Sequence, residues 1–194
     1  MGILSERAIK RHLEDGTLKI DPPPEPADFD TDSIEIHLGD TIYEWSPQPA
    51  AVRMTISLWQ TDSEKFVYNR LAEAHLKTVP PDNAGVITLR PRSFYLADLR
   101  QHTTLPHDVA MHIQGKSSLA RLGMLVHLTA PHAHAGWTGR LTLEICNLGP
   151  FNIELKPGMP IGQLTFWRLE DPDTEAVQDG QFSNQQDARG NPQQ

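Results

Sequence analysis

Cysteine is nearly absent from this chain: Cys146 is the only one in 194 residues. No intrachain disulfide can form, and every zinc site built on two to four thiolates is excluded. Such cysteine usage fits a reducing compartment, so a cytoplasmic location is expected. Long apolar runs are missing too. No stretch approaches the ~18 residues needed to cross a bilayer, and residues 1–7 hold no apolar core of signal-peptide length. No membrane partner is expected. Positive charge is scarce, with 17 Lys+Arg against 25 Asp+Glu and a formal net charge of −8. An acidic chain is a poor ligand for a nucleic-acid backbone, whose binding depends on Lys and Arg neutralising phosphates. The length suits one domain, and at this size a single core buries about 70% of the surface exposed by the unfolded chain.

What is present is alternation. A first helix is marked by Ser5 as N-cap, Glu6 in the first turn, Ile9 and Leu13 one turn apart, and Gly16 as the stop. Residues 21–26 are too proline-rich for helix or central strand and read as an extended polyproline connector. From Ser33 onward apolar residues recur with period two, at Ile34/Ile36/Leu38, Met54/Ile56/Leu58, Val109/Met111/Ile113, Leu141/Leu143/Ile145, Phe151/Ile153/Leu155 and Ile161/Gln163/Thr165. Turn chemistry separates them, as at Lys156-Pro157-Gly158, where Pro and Gly stand as a type II turn requires. Many short strands joined by turns predict an all-β fold, a distorted barrel or jelly roll. Two segments depart from the pattern. Residues 64–79 fit a helix with Val67, Leu71 and Ala74 on one face, and Ser117-Ser118 with Gly123 as terminator predicts a short helix over 117–122.

Residues 1–169 make up the β domain. Residues 170–194 hold six Gln, six acids, one Arg and few apolar side chains, chiefly Val177 and Phe182, so they cannot build a core. This flexible tail is either solvated chain or a segment that orders over a ligand as an active-site lid.

Three features could carry chemistry. Six of the nine histidines lie between His102 and His134, and His132 and His134 share a face if their segment is extended. That is a start for a metal site, although the next carboxylate is ten residues beyond His134, so surface or hydrogen-bonded histidines are the alternative. In residues 141–146, Leu141, Leu143 and Ile145 face the core while Thr142, Glu144 and Cys146 face the other way. Glu144 is then either a solvated surface group or, in an enclosed pocket, a candidate general acid and base. Residues 115–121 combine Lys116, Ser117, Ser118 and Arg121 at a helix start, which fits either an ordinary capped turn or an anion site.

The blocks Gln114-Gly115-Lys116-Ser117-Ser118-Leu119-Ala120-Arg121-Leu122-Gly123, Val126-His127-Leu128-Thr129-Ala130, Gly136-Trp137-Thr138-Gly139-Arg140-Leu141-Thr142-Leu143-Glu144 and Lys156-Pro157-Gly158-Met159-Pro160-Ile161-Gly162-Gln163-Leu164 closely resemble the dCTP deaminases of the dUTPase-like superfamily. The resemblance implies a distorted β jelly roll, a homotrimer with active sites shared between subunits, and a C-terminal segment that closes over nucleotide. It implies hydrolytic deamination of dCTP to dUTP and ammonia, with no zinc and no protein-bound metal, Mg²⁺ arriving on the triphosphate. By position, Glu144 is the general base and acid, Ser117 and the Ala130 carbonyl orient water and amine, and Arg121 stabilises charge near the base. Lys116 and Ser118 meet the triphosphate, and Trp137, Gln163 and Gln185 complete the substrate contacts with His132 and His134.

Those two histidines mark a departure. The family has an Asp, near the sugar, where His134 stands, and the monofunctional enzymes have an Arg at His132. An imidazole cannot copy a carboxylate acceptor, so sugar recognition is expected to differ. Three outcomes stay open: an ordinary deaminase with rewired contacts, an enzyme for another or modified cytosine nucleotide, or a homologue without deamination. The competing readings are a dUTPase or bifunctional dUMP-forming enzyme, a nucleotide-binding regulator, and a histidine-based metalloprotein of cupin type. The net charge does not oppose a triphosphate, because residues 170–194 hold six acids and one Arg and leave the body only mildly acidic.

Overall fold

In the computed structural model, which describes residues 2–47, 54–56, 64–172 and 182–190, residues spaced by two turn inward from one curled antiparallel sheet. In chain order the elements are β1 (Gly2–Ile3), α1 (Glu6–Glu14), β2 (Lys19–Asp21), a 3₁₀ turn (Pro26–Asp28), β3 (Ser33–Trp45), α2 (Glu64–His75), β4 (Leu76–Thr78) and β5 (Ile87–Leu89). There follow β6 (Ser93–Thr104), β7 (Val109–Gly115), α3 (Ser117–Ala120), β8 (Met124–Leu125), β9 (His132–Ala133), β10 (Thr138–Asn147), β11 (Ile153–Leu155) and β12 (Pro160–Arg168). The main sheet runs β8-β10-β6-β3-β12-β7-β9, with β1 on β12, β2 on β6 and β4 on β3, while β5 and β11 form a separate pair. This is the all-β fold, a curled antiparallel sheet with few helices, that the alternation predicts. No helix among the described residues is long and apolar enough to cross a membrane.

Ile34, Ile36 and Leu38 of β3, Met111 of β7, Leu143 and Ile145 of β10, and Leu164 and Phe166 of β12 are almost fully buried on the concave side. Each such side chain stabilises the fold by about 1.5–3 kcal/mol relative to exposure. Ile9, fully buried, fixes α1 across this core. The opposite face carries a smaller cluster of Tyr43, Ala72, Leu76, Leu96 and Ala188, with Trp45, Tyr68 and Phe94 against it. Thus α2 and the C-terminal segment cover the outside of β3 and β6.

Several expectations change. Ser5 is the N-cap of α1, but its side chain makes no capping hydrogen bond. Residues 54–56 form no strand, and Met54 and Ile56 are exposed; Leu58 lies outside the described residues. The 64–79 helix ends at His75 because Leu76 starts a strand on β3, where Trp45 faces Leu76. Its packed face is Tyr68 and Ala72, whereas Leu71 is half-buried and Ala74 exposed, and Val67 falls outside the described side chains. The 117–122 helix is one turn, Ser117–Ala120, with Lys116 at the N-cap and no side-chain cap from either serine. Gly123 follows at φ +89°, and a Cβ there would lie 2.4 Å from the Gly149 nitrogen, so the position requires glycine. Phe151 is exposed ahead of β11 instead of beginning it.

Candidate active site

The pairing of β10 with β6 places Thr142 opposite Asp98 and Glu144 opposite Leu96, with a register shift between Arg140 and Thr142. The extra residues of that irregularity lie on β6. Thr142 and Glu144 line a cleft of about 340 Å³, and Leu141 borders it while packing partly against the main core, as alternation predicts. The loop leading into β9 supplies Ala130, Pro131, His132 and His134; Trp137 borders the same space, α2 contributes Tyr68, and the C-terminal segment contributes Phe182, Ser183 and Gln185.

Glu144 is the sole carboxylate among the described lining residues. It is half-buried, and its Oε2 accepts the Leu128 backbone N–H at 3.0 Å. Glu144 therefore stands on the wall of a partly open cleft. Behind it Cys146 is buried, and burial followed by the Glu144 charge pushes its thiol up, which suppresses reactivity.

His132 lies opposite His112 in the β7–β9 register, their ring nitrogens 2.7 Å apart, and its ring meets His134 edge-on at 4.7 Å. Burial first, then His134 and His112, push the His132 imidazole below its ordinary value, favouring the neutral ring.

The C-terminal segment is bound by backbone and side chain. Asn184 N–H donates to the Thr138 carbonyl at 2.8 Å and Arg140 N–H to the Gln185 carbonyl at 2.9 Å. The buried Gln185 donates from Nε2 to the Arg140 carbonyl at 2.7 Å and to Thr142 Oγ1 at 3.3 Å. Trp137 Nε1–H reaches the Phe182 carbonyl at 3.3 Å. Gly139 allows this approach, since a Cβ there would stand 2.9 Å from the Trp137 ring. Residues 182–190 thus pack along the cleft; the rest of the tail beyond residue 172 lies outside the described residues.

The other expected residues lie elsewhere. Ser117, Ser118 and Arg121 are exposed on and after α3 and do not line the cleft. Lys116 forms an ion pair with Glu35. Gln163, on β12 between Glu35 and Gln114 in register, accepts from the Ser33 hydroxyl at 3.3 Å.

Among the described residues, Asp28, Glu35 and His37 bring three ligand-type atoms within 4.8 Å of one another. Their hydrogen bonds argue against a metal. Gln101 Oε1 accepts the His37 backbone N–H at 3.1 Å, so its Nε2 donates to His37 Nδ1 at 3.0 Å. His37 must then carry its proton on Nε2, 3.4 Å from Asp28, whereas a metal there needs the opposite tautomer.

A family model described as dCTP deaminase-like matches residues 3–169. The chain belongs to this dCTP deaminase-like family. Among curated proteins, a dCTP deaminase of Natronomonas pharaonis is 34% identical over 171 residues, covering 88% of this chain and 82% of that protein. A dUMP-forming dCTP deaminase of Beutenbergia cavernae is 37% identical over 175 residues, covering 88% and 81%. The crystal structure of 2′-deoxycytidine 5′-triphosphate deaminase from Agrobacterium tumefaciens shares the fold with a TM-score of 0.62 at 24% identity. The match covers 85% of this chain and 47% of that one, so this chain spans about half the solved length.

As a dCTP deaminase-like chain, the protein brings together in one cleft Glu144, Ala130, His132, His134, Trp137 and Gln185, and leaves the α3 residues and Gln163 outside it. Sequence reasoning missed Tyr68, Thr142 and Phe182 as cleft residues and Asp98 beneath the tail. Thr142 was readable, since it shares a face with Glu144 two residues on; Tyr68 carries no local signal, because a helix reaches this cleft only through tertiary packing.

Proposed function

We propose that the protein deaminates a cytosine deoxynucleotide of the dCTP type by hydrolysis, with Glu144 as general base and acid. The observation that carries this reading is the placement of Glu144, the one described cleft carboxylate, with its Oε2 held by the Leu128 N–H; this reading assigns the other oxygen to a water. Glu144 takes a proton from that water as its oxygen bonds to C4 of the ring. The proton passes to N3, a further transfer makes the amine a leaving group, and the C4–N bond breaks. The water oxygen stays as the uracil carbonyl and ammonia departs. The names of both curated relatives support this substrate class.

Ser117 and Arg121 enter this reading from a second subunit, orienting the water with the Ala130 carbonyl and stabilising charge at the base. Their exposure outside the cleft supports that arrangement, as do the exposed apolar side chains of Leu122, Leu148 and Phe151 beside α3. The functional unit is then a homotrimer. Lys116 and Ser118 meet the triphosphate, with its Mg²⁺ arriving as part of the substrate, and Lys116 exchanges Glu35 for phosphate. Gln163, beside that pair, serves the same end, while Trp137, His132, His134 and Gln185 contact base and sugar. Residues 1–169 form the catalytic body, 170–194 the appended lid, and the setting is the cytoplasm.

The test is product analysis with dCTP and Mg²⁺. The expected outcome is dUTP and ammonia; no turnover by protein of verified trimeric mass rejects the proposal. The dUMP-forming name of the Beutenbergia relative favours a second reading, in which pyrophosphate and dUMP appear together. Running CTP, dUTP and 5-substituted dCTP alongside reads out the effect of His132 and His134.

A further inference from the structure

Asp98 is a buried carboxylate, 7% exposed, that the proposed chemistry does not use. It lies on β6 beneath the C-terminal segment. From β3 the Tyr43 hydroxyl donates to its Oδ2 at 3.3 Å, and from the segment the Ala188 backbone N–H faces it. Its Oδ1 is buried with no hydrogen-bond partner among the described residues. The charged groups around it do little to neutralise it. Asp187 adds a like charge and is itself paired with Arg189 at 2.6 Å. Arg140 on β10 donates its Nη1 to the Leu99 carbonyl at 3.0 Å, and Tyr68 of α2, which senses Asp98, Asp187 and Glu144, holds the Ala188 carbonyl with its hydroxyl. An ionised Asp98 is therefore a poorly compensated charge under the covering segment, and water reaches it only when that segment lifts.

We propose that Asp98 is a proton-operated latch for residues 182–190, holding them over the Glu144 cleft when protonated and loosening them when ionised. With the segment docked, burial first and the Asp187 charge second push the carboxyl from its ordinary 3.8 up to about 6, against the opposing pull of Ala188 N–H, Tyr43 and Arg140. Lifting the segment restores water and removes Asp187, returning the group toward its ordinary value. The docked form binds the proton more tightly. Its added stability is therefore complete below about pH 4 and is lost as pH rises through about 6. Near neutrality the cover is poised to open. Phe182, Ser183, Gln185 and Ala188 line the cleft, so the latch controls access to Glu144.

Amide hydrogen exchange at Asn184 and Ala188, corrected for the intrinsic rate at each pH and run without nucleotide, tests the latch whether or not the protein deaminates dCTP. Protection is expected to be roughly ten-fold greater at pH 5 than at pH 7.5. Asp98→Asn, whose carboxamide imitates the neutral acid, is expected to show no such difference and to be protected at both pH values at least as well as the wild type at pH 5, because the neutral form is complete only below about pH 4. Equal wild-type protection at both pH values, or an undiminished slope in Asp98→Asn, overturns the proposal. Should Asp98→Asn not fold, Asp187→Asn decides: losing the like charge shifts the midpoint to lower pH, and an unmoved midpoint overturns the latch.

Discussion

The two faces of the sheet are built on different terms. The concave face is a continuous apolar core that includes Ile9 and Phe166, and few of its side chains, Ile113, Ala133 and Trp137 among them, also reach the cleft. The outer face of β3 and β6 is a small cluster covered by one helix and the C-terminal segment, and Asp98 is embedded in it. Glu144 sits where these regimes meet: β10 directs Leu143 and Ile145 inward and Glu144 toward the covered cleft. One face supplies stability and the other borders the site of the proposed chemistry, so substitutions on the two should separate.

The largest effect expected is on turnover. Glu144→Gln keeps an acceptor for the Leu128 N–H but cannot take a proton, so activity toward dCTP should fall by about 10²–10⁴-fold. Its melting temperature should stay close to wild type. A comparable loss of thermal stability would break the separation, and an unchanged rate would remove Glu144 from the role. On the concave face, Phe166→Ala removes a fully buried ring and should cost about 3–5 kcal/mol in chemical denaturation. In the outer cluster Leu96→Ala should cost only about 2 kcal/mol, the low end for such truncations, because α2 and the C-terminal segment can settle toward the gap. A cost equal to that of Phe166→Ala would mean that the cover is as firmly built as the core. The smallest effect belongs to the exposed Glu6–Lys10 pair on α1, where Glu6→Gln should change stability by less than about 0.5 kcal/mol.

The same division explains what could be read from the sequence. Ile34/Ile36/Leu38, Val109/Met111/Ile113 and the Leu143/Ile145 pair stand on strands packed on one side, and period two marks them plainly. The twelve-residue β6 was invisible to that pattern because Asp98, Gln101, His102 and Thr103 interrupt it. Those polar groups are tolerated through partners far away in sequence, as Gln101 finds His37 and Asp98 finds Tyr43. The irregularity of β6 opposite residues 140–142 likewise has no local signature, so Leu141 reads as core alone although it borders the cleft as well. The catalytic proposal at Glu144 came from the matching family blocks, since alternation alone left its face undecided. The docking of residues 182–190 depends on backbone groups of Thr138 and Arg140 that no tail composition announces.

Those backbone bonds have a practical consequence. Gln185 and Asn184 attach to β10 at its irregular stretch, and Arg140, which both gives and receives a hydrogen bond there, precedes Glu144 by four residues on the same strand. Removing the C-terminus would therefore not leave an open but otherwise intact site. It would unstitch the strand just upstream of Glu144, so a truncated protein would confuse access with alignment, whereas Phe182→Ala would perturb the cover and leave the seam in place.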